Sequence, residues 1–239
     1  MVRNELTRKY FVNCDRILET RDNEIKSMTQ TEHIRILGID LDRGLRFDRH
    51  LKHVAHQASL RVTALRRVAQ HLDKRGIQLL YKAQVRPYLE YGTLTWMSSA
   101  ATHLQRLERV ERRVLRLLED DNLQPPTQAA PLDPLEHRRD VAALVVFHKT
   151  QIQEVSHLAR LRLPPRDAVR DTRTVLSSLE QVKVPRSRAS QHQRTFVSRV
   201  SRLWNIFTAT VPSVREMSTQ RVKVAAHRWR GTLPTPLLV

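Results

Sequence analysis

The hydrophobic positions of this chain fall into stripes. From Asp48 to Leu72, apolar residues recur at Leu51, Ala55, Ala58, Val62, Leu65, Ala69 and Leu72, alternately four and three residues apart. That period puts them on one face of a helix. The opposite face carries Arg49, Lys52, His53, His56, Arg61, Arg66 and Arg67. Asp48 is its expected N-cap. Asp73 is placed to cap a second helix, with Ile77, Leu80, Tyr81 and Val85 inward. Thr102 and Gln105 form a Thr-x-x-Gln capping box for a third. Its stripe is Leu104, Leu107, Val114, Leu117 and Leu118, and Arg106, Arg109, Arg112, Arg113 and Arg116 load the remainder. Three such helices can close a small bundle.

Between the second and third helices lies the densest aromatic stretch, Tyr81 to Gly92, closed by Trp96. Such side chains bury much area each, so the stretch reads as a core-forming node. Pro87 predicts a kink or an end there, and Gly92 lets the chain turn out.

Upstream, His33 to Asp42 reads as a strand whose alternation changes face at Gly38, which predicts a bulge. Arg43-Gly44 would turn it, with Leu45 and Phe47 returning as a short second strand. Residues 119–133 hold Pro125, Pro126 and Pro131 and read as a linker. Asp133-Pro134-Leu135-Glu136 then predicts a helix capped by Asp133 that buries Leu135, Val141, Leu144, Val145 and Ile152. Pro164-Pro165 ends that region. A final helix is expected after Ser218, burying Val222, Ala225, Ala226 and Trp229. The fold class is therefore mainly α: an N-terminal β-hairpin within 1–47, a helical bundle over 48–118, the linker 119–133, a helix within 134–163, and a basic region over 164–239.

Charge narrows the function. Among 239 residues, 42 Lys and Arg face 24 Asp and Glu, a net +18 with a pI near 11.2. A field of that size attracts polyanions. From Gln181 to Arg215 there are seven basic residues and no acid, among them Lys183, Arg186, Arg188, Arg194, Arg199 and Arg202, interleaved with Phe196, Trp204 and Phe207. This pattern suits phosphate contact with base stacking, or else a folded cap with buried aromatics. No apolar run reaches the roughly 18 residues that span a bilayer, and no signal-peptide core follows Met1. The single Cys14 cannot form an internal disulfide and fits a reducing compartment, nucleus or cytoplasm.

Catalytic constellations are sparse. His50, His53 and His56 recur every three residues, without a cysteine or carboxylate to complete a zinc set. Cys14 has no histidine partner nearby in sequence. Asp120-Asp121 is the one Asp-Asp pair and follows a helical stripe, where a solvated helix exit is the simpler reading.

Four segments, in order, resemble one family. They are Ile36-Leu37-Gly38-Ile39-Asp40-Leu41-Asp42 with Leu45, Phe47 and His50; Leu80-Tyr81-Lys82 through Val85-Arg86-Pro87 to Leu89-Glu90-Tyr91-Gly92 and Trp96; Leu107-Glu108 with Val110, Arg112, Arg113, Leu115 and Arg116; and Pro134-Leu135-Glu136 with Arg138-Arg139. Pro185-Arg186-Ser187-Arg188, Phe196 and Arg202-Leu203-Trp204-Asn205 extend the likeness, which covers roughly residues 33 to 212. They are similar to the C-terminal part of non-LTR (LINE-type) retrotransposon reverse transcriptases.

The resemblance implies that residues to Phe47 end a polymerase palm, that 48–118 form a thumb that holds template–primer duplex, and that the rest is a C-terminal extension. The family copies RNA into DNA with two Mg²⁺ held by palm aspartates, an arrangement that needs convergent carboxylates. Those carboxylates are missing from the matched segments, so a truncated element is expected, with no cofactor and no polymerisation by this chain alone. The expected partners are RNA, DNA or an RNA–DNA hybrid, with no membrane. Lys52, Arg61, Arg66, Arg67, Lys82, Arg86, Arg106, Arg109, Arg112, Arg113, Arg116, Arg186, Arg188, Arg194 and Arg202 are the expected phosphate contacts. The alternative is a helical interaction fragment with no selected ligand.

Overall fold

The computed structural model describes residues 33–119, 131–166 and 180–234. Cys14, the Asp120-Asp121 pair and the prolines at 125 and 126 lie outside them. The fold is mainly helical, with one short antiparallel hairpin. It divides after Gly44 into two compact units.

In the first unit, β1 (His33–Ile36) pairs antiparallel with β2 (Ile39–Asp42), Ile36 facing Ile39 and His33 facing Asp42. The predicted bulge at Gly38 is instead the hairpin turn. Leu37 (φ 47°) and Gly38 (φ 79°) both sit in the left-handed region, as a two-residue loop matched to strand twist requires. Leu45 and Phe47 form no return strand; both have positive φ, and Phe47 leads into a helix.

The second unit opens with α1 (Asp48–Ala69), which buries Leu51, Ala58, Val62, Leu65 and Ala69 as its stripe dictates. Asp48 is not the cap. Phe47 occupies that position with φ 58°, and the Asp48 carboxylate turns to cations instead. Asp73 does cap α2 (Lys74–Leu80), its Oδ1 accepting the Gly76 N–H at 2.7 Å. The chain then widens into a π-helical turn (Tyr81–Val85) and resumes as α3 (Arg86–Glu90). Arg86 N–H reaches back five residues to Tyr81. The extra residue in that turn lets Pro87, which has no N–H, enter a first turn rather than break a helix.

Gly92 (φ 62°) turns the chain into α4 (Thr93–Trp96), and Trp96 Nε1 donates to the Tyr91 carbonyl at 2.9 Å. In α5 (Ala101–Glu119), Thr102 and Gln105 do not flank the helix: Ala100 O already accepts from His103 and Leu104, so both lie within its start. Leu107, Val110 and Val114 of α5 are buried, and the helix packs along α1. Asp48 meets Arg106 at one end and Ser59 meets Arg113 further on, so the two helices run in the same sense.

Helix α6 (Leu135–Gln151) follows Pro134, not Asp133, at its cap position, with Glu136 in its first turn. It has no single apolar face. Leu135, Glu136, His137, Arg139, Asp140, Val141, Ala143, Leu144, Phe147 and His148 are all buried, as in a helix surrounded by protein. A 3₁₀ turn (Ser156–Leu161) and short α7 (Ser190–Gln193) precede α8 (Phe196–Thr210). A further 3₁₀ turn (Val214–Glu216) leads to α9 (Thr219–Gly231), which begins after Ser218 as expected, with the Ser218 hydroxyl accepting the Arg221 N–H.

α8 and α9 pack on α6, and Val141, Leu144, Phe147, Val200, Leu203, Trp204, Phe207, Val222, Ala226 and Trp229 share one core. Phe147 meets Trp204 edge-on at 5.4 Å, and Phe207 meets Trp229 likewise at 5.3 Å. These are the favoured ring geometries. Asn205 clamps Val182, accepting its N–H at 2.8 Å and donating to its carbonyl at 2.9 Å. Trp204 and Phe207 are thus core residues, and base stacking by them is ruled out by burial.

Candidate nucleic-acid interface

Where α1 and α5 run side by side, their outer edges leave an open groove of about 500 Å³. From α1 come Lys52, Ala55, His56 and Ser59, one stripe at helical spacing. From α5 come Arg106, Arg109, Val110, Arg112, Arg113 and Arg116. Ala55 and Val110 bring little bulk to the lining, and six cationic side chains surround them without a carboxylate among the lining residues. The same heptad-like period that buries Leu107, Val110 and Val114 forces Arg106, Arg109, Arg113 and Arg116 onto the adjoining face.

Asp48 orders one end of the groove. Its carboxylate accepts Lys52 Nζ at 2.8 Å and Arg106 at 2.5 Å, with His103 at 3.3 Å. Hydrogen bonds from Lys52, then Arg106, lower its pKa to about 2. Arg113 donates to Ser59 Oγ. Arg109, Arg112 and Arg116 are exposed and form no ion pair with a described residue.

The other expected contacts do not line this groove. Arg61 stacks over the Tyr88 ring at 3.4 Å and also donates to the Gln57 carbonyl at 3.0 Å. Arg66 and Arg67 are exposed in the last turn of α1. Lys82 donates to Gln78 at 3.0 Å, and Arg86 lies 4.0 Å from Glu90, which also receives Arg138. Arg186, Arg188 and Arg194 are exposed in the C-terminal segment, while Arg202 donates to the Gln193 carbonyl at 2.6 Å.

Arg199, part of the acid-free basic run, faces the protein: it donates to Asp140 at 2.9 Å and Glu136 at 3.2 Å. Arg230, buried, donates to the other Asp140 oxygen at 2.9 Å. Arg139 is buried beside Glu108 at 3.2 Å. Nearby, burial pushes the Glu111 carboxyl up, opposed by hydrogen bonds from Leu135 N–H and Tyr81 Oη, each at 3.3 Å. Sequence reading missed these buried pairs because each joins residues tens of positions apart. It also missed Ser59 in the groove, although its place three residues after His56 on the same stripe was a usable signal.

Among the described residues no helix is long and apolar enough to cross a membrane. No protein-family model matches the chain, and no solved structure matches it. The chain is 28% identical over 92 residues to the RNA-directed DNA polymerase from mobile element jockey of Drosophila funebris. That stretch covers 37% of this chain and 10% of the longer protein. Over that stretch, and loosely, the chain is similar to a mobile-element reverse transcriptase.

Proposed function

We propose that the groove between α1 and α5 grips the sugar–phosphate backbone of nucleic acid without reading its sequence, as part of a protein related to reverse transcriptases of non-LTR elements. One observation carries this reading: six cationic side chains from two helices line a single groove, Asp48 pairs with two of them at one end, and Arg109, Arg112 and Arg116 are left without an acidic partner among the described residues. Arg106 and Arg116 lie ten residues apart, so the row is about 15 Å long at the helical rise. At about 3.4 Å per nucleotide along one strand, that length spans roughly four phosphates. The partial similarity to an RNA-directed DNA polymerase supports nucleic acid over other polyanions. The role is grip rather than chemistry, since two-metal nucleotidyl transfer needs convergent carboxylates and the groove lining offers none.

The test is fluorescence anisotropy with short DNA duplex, RNA duplex and RNA–DNA hybrid across a salt series. On duplex DNA, log affinity should fall against log salt with a slope of about −3 to −4. The triple variant Arg109→Glu, Arg112→Glu, Arg116→Glu, confined to exposed positions, should abolish most binding while keeping its far-UV dichroism. Salt-independent affinity, or unchanged binding by that variant, would overturn the proposal. Signal that tracks self-association of the chain would favour a helical interaction fragment instead.

A further inference from the structure

The described residues bring one set of metal-ligating atoms together, away from the groove. His137 on α6 and His227 on α9, ninety positions apart, point ring nitrogens at each other, Nε2 to Nδ1, at 3.1 Å. Asp133, just before α6, sets Oδ2 3.7 Å from that same His227 Nδ1. All three ligand atoms lie within 4.8 Å of one another. We propose that Asp133, His137 and His227 form a binding site for a Zn²⁺-like divalent transition-metal ion that ties the start of α6 to α9.

The spacing of the two imidazole nitrogens fits the ion, and the exposed Asp133 carboxylate, 3.7 Å from His227 Nδ1, has to draw in to complete the set. Two Zn–N bonds of about 2.05 Å at the tetrahedral angle place the nitrogens about 3.3 Å apart. The observed 3.1 Å needs only a few tenths of an ångström of opening. Two imidazoles and a carboxylate suit zinc, whereas magnesium and calcium take oxygen ligands. A fourth position is left for water, as in three-ligand zinc sites. The neighbouring guanidinium groups are already matched, Arg138 by Glu90 and Arg230 by Asp140, leaving Lys223 as the further cation acting on His227. His137 is buried, His227 half-buried and Asp133 exposed, so an ion can enter from the Asp133 side.

The full chain, stripped with chelator and desalted, should be titrated with Zn²⁺ by calorimetry and with Co²⁺ by its d–d absorption. One ion per chain is expected, together with a rise in Tm on Zn²⁺ addition. His137→Gln or His227→Gln should weaken binding by at least about tenfold and remove the Tm rise. Substituting the exposed His53 on α1 should change neither. If a histidine variant loses its helical dichroism, Asp133→Asn at the exposed ligand serves in its place, with the same expected loss. Equal metal binding by wild type and these variants, or none by either, would mean an imidazole–imidazole hydrogen bond only and would overturn the site.

Discussion

Asp140 holds two guanidinium groups inside the protein. It is fully buried, and each of its two oxygens takes a different guanidinium, Arg199 and Arg230, at 2.9 Å. Removing it leaves the buried Arg230 and the half-buried Arg199 to share Glu136, and breaking a buried ion cluster in this way costs up to about 3–5 kcal/mol. Asp140→Ala should therefore lower stability in urea by about that much, against less than about 0.5 kcal/mol for Arg66→Ala on the exposed end of α1. His148 makes a second prediction at this scale. It is fully buried beside Trp204, and burial lowers its pKa from the ordinary 6.5. The unfolded chain then binds a proton that the folded one refuses. Stability is intact above pH 6.5 and falls as pH drops below it, until the folded-state pKa is reached. Thermal melts from pH 7.5 to 5 should show this loss, and His148→Leu should flatten part of it.

At the scale of elements, caps and turns decide where helices begin. The Asp73 cap of α2 satisfies an end N–H through the Gly76 bond, and Asp73→Ala should cost about 1 kcal/mol by chemical denaturation. Asp48, equally cap-like in sequence, has no such duty. The left-handed Phe47, 3% exposed, lets the backbone enter α1 while Asp48 serves Lys52 and Arg106. Asp48→Ala should thus cost little helix stability but loosen the groove's lysine–arginine end, read as weaker nucleic-acid binding in spite of the added net positive charge. Stronger binding would show that net charge, not the ordering of that end, governs affinity.

At the scale of the whole molecule, a net +18 could attract nucleic acid from any side, so the groove must be told apart from the field. Two reversals of equal charge make the distinction. Arg109→Glu with Arg112→Glu removes two groove cations; Arg186→Glu with Arg188→Glu removes two exposed cations elsewhere. The first pair should make the salt slope shallower by about 2 and the second by much less. Equal effects would transfer binding from the groove to the overall field.

Much was legible in the chain itself. The apolar period of Leu51 to Ala69 dictates α1 and its buried face, because a helix built on that period has one side to hide. The arginines of Arg106 to Arg116 must then share the other side of α5, whatever packs beneath it. Gly92 and Ser218 announced a turn and a helix start through local backbone needs. Tertiary structure alone decided that α1 and α5 lie in the same sense, which is what turns two basic faces into one groove. It also decided that Arg199 and Arg230 point at Asp140 rather than at solvent, and that His137 meets His227. Periodicity fixes a side chain's direction on its own helix, but its partner depends on how distant helices dock, and that is set by the sum of the core.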